Sequence, residues 1–361
     1  MQIGIAGLPY SGKSALFSTL LCHKSGSDSF KGKVESERGV VKVPDERLER
    51  LTAMFNPKSK VNSTVEYLKV PGLESDQKSS HGLPPQFLAN MKTVDAILLV
   101  VRSFENEMFP HPFDRIDPKA DIVFANSEFL LADLTIIESR VERLEKQLRK
   151  IQNEADKKEL DILIKCRAWL ETEKPLREFA VSPEEEKILR GFQFLTAKPI
   201  LYVINIGESQ IPETESIIHQ FDDLKSESAT VTALCASIEK EIAELEPEDQ
   251  AVFLKDMGIR EPALFNLIHR SYELLGLISF FSVGEDECRA WTLRRGSNAQ
   301  KAAGAIHTDL ERGFIRAEVV AYEDLIANGN YAACRAKGLV RLEGKEYIVK
   351  DGDILEIRFN I

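Results

Sequence analysis

Apolar residues along the chain fall into two rhythms. Ile3-Gly4-Ile5-Ala6, Ala96-Ile97-Leu98-Leu99-Val100-Val101 and Ile200-Leu201-Tyr202-Val203-Ile204 are short unbroken runs between polar stretches. Runs of this kind, separated by helical patterns, predict a parallel sheet covered on both faces. Residues 64–69 and 230–234 carry weaker strand signals. In the middle of the chain the spacing changes to three and four: Leu134, Ile137, Val141, Leu144, Leu148 and Ile151 form a heptad seam with Arg, Glu and Lys between them. A second helical stretch over 156–173 follows closely, so the pair predicts an antiparallel helical hairpin. Ser182 with Glu185 three residues later predicts a capping box that opens a helix near Pro183. Past residue 276 the chain breaks into short segments punctuated by glycine. It ends in an alternating run with the turn signal Asp351-Gly352, read as a small α+β domain.

The first strand runs into Gly7-Leu8-Pro9-Tyr10-Ser11-Gly12-Lys13-Ser14, which fits G-x-x-x-x-G-K-[ST], and a helix is predicted over 13–21. Strand, loop and helix are the parts a phosphate grip needs. The glycines let backbone N–H groups close around phosphate oxygens, and the helix N-terminus, from Lys13 through Ala15, presents a positive dipole end. Lys13 is placed to reach the outer phosphates and Ser14 to ligate magnesium.

Composition narrows the setting. With 361 residues and 43% hydrophobic content, the chain is long enough for two or three cores. A net charge of −11 argues against a surface given wholly to nucleic acid, so any polyanion contact is a local patch. Cys22, Cys166, Cys235, Cys288 and Cys334 are scattered without a CxxC pair, and read as reduced thiols rather than a zinc site or disulfide framework. No apolar run approaches a membrane span and no signal peptide precedes the first strand, so a cytoplasmic protein without membrane contact is expected.

Further segments carry a family resemblance: Gly39-Val40-Val41-Lys42-Val43-Pro44-Asp45 with Arg47-Leu48, Gln86-Phe87-Leu88-Ala89-Asn90, Val94-Asp95-Ala96-Ile97 and Val100-Val101-Arg102-Ser103-Phe104-Glu105. In the C-terminal part, Arg289-Ala290-Trp291-Thr292, Ala302-Ala303-Gly304-Ala305-Ile306-His307-Thr308-Asp309 and Gly313-Phe314-Ile315-Arg316-Ala317-Glu318 add to it. The chain resembles the YchF or Obg-like ATPase family over essentially its whole length. The resemblance implies an α/β fold: a Ras-like P-loop domain in two parts, 1–125 and 196–276, with an inserted helical hairpin at 126–195 and a TGS-like β-grasp domain at 277–361. It implies ATP as the nucleotide, with GTP as the alternative, and association with the ribosome or RNA.

The same resemblance assigns individual positions. Asn205-Ile206-Gly207-Glu208 stands where GTPases carry Asn-Lys-x-Asp, and Ala236 with Ser237 resembles the Ser-Ala-Lys loop beside the base. The usual aspartate reads guanine N1 and N2 donors that adenine lacks, so Glu208 in its place points to ATP. The Asp-x-x-Gly of relatives reads Lys69-Val70-Pro71-Gly72 here, and the threonine of the first switch falls on Lys33. Two groups of the magnesium shell are thereby exchanged for cations, which weakens hydrolysis and puts magnesium itself in question. His111 falls at the position of the histidine that orients the attacking water, with His81 in the second switch as a further candidate.

In the C-terminal domain Arg289, Arg294, Arg295, Arg312 and Arg316 lie near Trp291 and Phe314, a pattern that suits RNA. Acidic residues are interspersed, so a structural ion-pair reading stands beside it. Three readings therefore compete: a regulatory ATPase switch, a nucleotide sensor that does not hydrolyse, and an RNA-binding adaptor with a structural P-loop.

Overall fold

A computed structural model describes residues 1–22, 30–31, 36–73, 82–259 and 261–360. They separate into two compact units, one of Met1–Val40 with Glu66–Leu267, the other of Val41–Val65 with Ile268–Ile361. Lys33, His81 and most of the second switch lie outside the described residues.

The strands, in chain order, are β1 (Gln2–Gly7), β2 (Phe30–Lys31), β3 (Glu37–Lys42), β4 (Ser59–Val61), β5 (Thr64–Lys69), β6 (Ala96–Arg102), β7 (Ile200–Asn205), β8 (Ala229–Leu234), β9 (Leu277–Val283), β10 (Glu287–Arg294), β11 (Phe314–Ala321), β12 (Arg341–Glu343) and β13 (Asp353–Phe359). The first unit is built on a seven-stranded sheet of order β2-β3-β5-β1-β6-β7-β8. The pairs β5-β1, β1-β6, β6-β7 and β7-β8 are parallel. Every residue of β1, β6 and β7 is buried, which is why these strands read as unbroken apolar runs. Because β1 has β5 on one side and β6 on the other, a crevice opens at its carboxyl end, where open α/β sheets bind their ligands.

The helices that matter for position are α1 (Lys13–Cys22), α2 (Glu46–Phe55), α3 (Pro85–Thr93), α4 (Pro118–Leu148) and α5 (Glu154–Leu170). The heptad seam becomes the α4–α5 hairpin, in which Ile137, Val141 and Leu144 bury against Ile162, Leu163, Cys166 and Leu170. The seam ends earlier than the pattern suggested. Ile151 lies in the turn and is 71% exposed, because the Asn153 side chain caps Ala155 N and starts α5 there. The capping box at Ser182 forms with both of its hydrogen bonds and opens the helix Pro183–Leu189.

The second unit holds a six-stranded sheet of order β12-β11-β13-β9-β10-β4. The first and last strands of the C-terminal segment, β9 and β13, run side by side and parallel, and the helix Ala299–Ile306 packs Ala299 and Ala302 against Phe280, Leu293, Val319 and Leu355. That arrangement is the expected β-grasp. Residues 41–65 were read as part of the first domain, yet they fold with this unit. β4 pairs in parallel with β10, and Leu48 and Leu51 of α2 bury against Phe281 and Val320. Arg47 fastens the segment by pairing with Asp45 at 2.8 Å and Asp351 at 2.7 Å. Local periodicity carries no signal for such a distant pairing. No helix among the described residues is long and apolar enough to cross a membrane, and Cys166, Cys235, Cys288 and Cys334 are free and buried.

Candidate functional site

At the carboxyl end of β1 the chain must turn sharply into α1, and two glycines make the turn. Gly7 has φ +151° and a side chain there would meet the Val100 carbonyl at 2.3 Å; Gly12 has φ +99° and would drive a Cβ to 2.1 Å from the Asn205 amide nitrogen. Tyr10, between them, holds the left-handed conformation at φ +61°, which costs a non-glycine residue about 1–2 kcal/mol. Gly72 packs against Pro9, and Leu73 N donates to Gly7 O at 2.9 Å, strapping the chain after β5 to the back of the loop. Lys13 is buried and its ammonium donates to Gly7 O at 2.9 Å and Leu8 O at 2.7 Å.

Asn205, at the end of β7, joins the loop to the rest of the site. Its Nδ2 donates to Ser11 O at 3.0 Å, and its Oδ1 accepts from Ala236 N at 3.1 Å. The side chain is buried, so both bonds are sheltered from water. These contacts draw three separate segments around one cleft of 1120 Å³, lined among others by Tyr10, Gly12, Lys13, Ser14, Ala15, Asn205, Glu208, Ala236 and Ser237. Gly7, Leu8, Pro9 and Ser11 supply the loop backbone behind these residues. The loop and the start of α1 stand at one end of this cleft and residues 205–208 and 236–237 at the other.

Sequence reasoning missed several lining residues, of which Arg102, Phe104, Phe109 and Lys240 do most to shape the cleft. Arg102 closes the all-apolar β6 and is buried; its guanidinium donates to Phe104 O at 2.7 Å and Phe109 O at 2.6 Å, shaping the 103–109 wall. Burial draws its pKa below the ordinary arginine value, opposed by Glu105. A charge ending an apolar strand was the available signal. Phe104 and Phe109 line the same wall, and the Phe109 ring stands 5.5 Å from that of Tyr10. Lys240 lies four residues past Ala236 on the helix Ala236–Glu244, so helical spacing alone puts it on the cleft face.

Two expected residues are held elsewhere. His111 is buried, with Nε2 2.8 Å from Asp121 Oδ2 and Nδ1 accepting from Phe113 N at 3.2 Å. That network assigns the proton to Nε2. Burial raises the Asp121 pKa, and the bond from His111 opposes the rise. Both ring nitrogens are engaged, so in this conformation His111 has neither free to orient a water. Lys69, at the end of β5, pairs with Glu37 at 2.7 Å, and its ammonium lies 5.6 Å from the centre of the Phe17 ring.

The metal side of the site is correspondingly thin. A P-loop holds magnesium through its serine or threonine and through an acid from a neighbouring strand. Here Ser14 is present, but Lys69 ends the strand beside β1, and an ammonium has no lone pair to give. Among the described residues no group of three or more His, Cys, Asp or Glu comes together to hold a metal. Among the described residues, the donors beside the loop do not complete a shell for a divalent ion.

The YchF-GTPase_C family model, described as a protein of unknown function (DUF933), matches residues 277–360, and MMR_HSR1, described as a 50S ribosome-binding GTPase, matches 2–165. The "Ribosome-binding ATPase YchF" of Bacillus subtilis (strain 168) is 42% identical over 367 residues, covering 100% of both chains. This chain belongs to the YchF family. The YchF protein of Haemophilus ducreyi is also 42% identical, over 100% of this chain and 99% of its own. The solved structure of the Schizosaccharomyces pombe YchF GTPase matches with a TM-score of 0.87 and 32% identity, over 99% of this chain and 97% of that one. Membership bears out the resemblance read from the motifs, together with the α/β P-loop fold and nucleotide binding as the family's business.

Proposed function

We propose that this chain is an ATP-binding regulatory NTPase that acts on the ribosome in the cytoplasm, with weak hydrolysis. The observation that carries the reading is Asn205, which ties the phosphate loop at Ser11 to the base-side segment at Ala236. One side chain thereby couples the two ends of a nucleotide. Glu208 stands exposed on the rim of the cleft. Without the aspartate that accepts from guanine N1 and N2, the site has lost its hold on guanine, and ATP is the favoured ligand. The names of the relatives, ribosome-binding ATPases, support the nucleotide and the ribosome as partners.

Weak hydrolysis rests on Lys69 and on the engagement of His111, since catalysis of phosphoryl transfer is mostly positioning and charge stabilisation. The same two observations favour a second reading, a nucleotide sensor in which binding alone sets the conformation. Calorimetry with ATP and GTP tests the nucleotide, and phosphate release at saturating ATP separates the two readings. Turnover stimulated by ribosomes supports the regulatory ATPase; no release with or without ribosomes supports the sensor. Failure to co-sediment with ribosomes in any nucleotide state contradicts the ribosomal partner.

A further inference from the structure

We propose that Lys69 is a built-in counter-cation for the outer phosphates of the nucleotide, kept in place by Glu37 until the nucleotide arrives, so that binding needs no divalent metal. This rests on the nucleotide reading above. Lys69 faces Ile5 in the β5–β1 register, two residues before Gly7 opens the loop. Its ammonium lies over Phe17, which stands one helical turn beyond Lys13 on α1 and three residues beyond Ser14. Lys13 opens α1 and the Lys69 ammonium lies over its second turn, so two ammonium groups stand along the helix whose N-terminus draws a triphosphate.

The pairing with Glu37 has the properties of a latch. The Lys69 side chain is 17% exposed, so it needs an anionic partner; the Glu37 side chain is 43% exposed and is easily returned to water. A terminal phosphate group offers the ammonium more charge than one carboxylate, and the exchange conserves the ion pair. A divalent ion brought beside the same ammonium would be repelled. Glu37 opens β3, so its release on binding frees the start of that strand and gives the bound state a structural signature without hydrolysis.

The test is calorimetric titration of ATP into the full-length protein and its Lys69→Gln and Glu37→Gln variants, each with magnesium and with chelator. The wild type is expected to bind ATP with the same affinity within about twofold in both conditions; Lys69→Gln weakens binding in chelator by about tenfold or more; Glu37→Gln tightens it by about threefold. A wild-type affinity that drops more than about tenfold in chelator overturns the proposal, as does a Lys69→Gln protein that binds in chelator as well as the parent, or a Glu37→Gln protein that binds more weakly. Absence of ATP binding in both conditions overturns the nucleotide reading and this proposal with it, whereas binding that requires magnesium overturns this proposal alone.

Discussion

The Asn205 amide nitrogen stands 2.1 Å from the point a Cβ on Gly12 would occupy, so no side chain fits at position 12 while Asn205 keeps its place. Gly12→Ala must displace Asn205 and adopt a strained φ of +99°, while Asn205→Ala leaves Ser11 O and Ala236 N without their buried partner. Each substitution is expected to cost about 1–3 kcal/mol of stability and to weaken ATP by at least about tenfold. Thermal unfolding and calorimetry on the two variants check this; full affinity in Asn205→Ala contradicts the coupling.

The half-exposed rings of Tyr10 and Phe109 pack against one another at the cleft, 5.5 Å apart with an interplanar angle of 30°. A pair placed there closes over the ligand rather than holding it by charge. Phe109→Ala is therefore expected to speed nucleotide release by about threefold to tenfold, with little change in the association rate. Stopped-flow with a fluorescent ATP analogue reads both constants.

Asp133 is fully buried at the junction of α4 with the chain before β7, and accepts from Leu195 N, Thr196 N and Thr196 Oγ1. Burial outweighs those three donors and pushes its pKa up from 3.8 to about 6. The folded state then keeps a proton that the unfolded chain gives up near pH 4, so the contribution of this group is present below pH 4 and is lost as pH rises through 6. Relative to Asp133→Asn, which does not titrate, the wild type is expected to lose about 2 kcal/mol between pH 4 and pH 7. Denaturant titrations of both proteins across that range measure the difference.

His111 is expected to serve structure. Removing it leaves the Asp121 carboxylate buried without its closest partner, so His111→Ala should destabilise by about 1–3 kcal/mol. ATP turnover per folded molecule should stay at the parent value. A variant with parental stability and abolished turnover would assign the histidine to the attacking water after all.

The parts of the fold that follow from local rules were legible in advance. β1, β6 and β7 announced themselves because burial on both faces leaves no room for polar residues; the Gly-Lys-Ser loop did so because its backbone demands glycine at 7 and 12. Ser182 and Glu185 specify their own box. Residues 41–65 were misplaced, since the pairing of β4 with β10 joins positions more than two hundred residues apart and depends on Arg47 finding Asp351. His111 was legible as a residue but its engagement was not, because the Asp121 that holds it lies on the first turn of a helix whose seam was read only from Leu134 onward. Lys69 could be located by its glycine three positions on, yet only the folded chain shows the carboxylate it meets.

The most direct measurement is calorimetric titration of ATP and of GTP into the wild-type protein, with Lys13→Ala as the control. A single site is expected that binds ATP at least about tenfold more tightly than GTP and is lost in Lys13→Ala. Tighter binding of GTP, or ATP affinity that survives the loss of Lys13, would contradict this expectation.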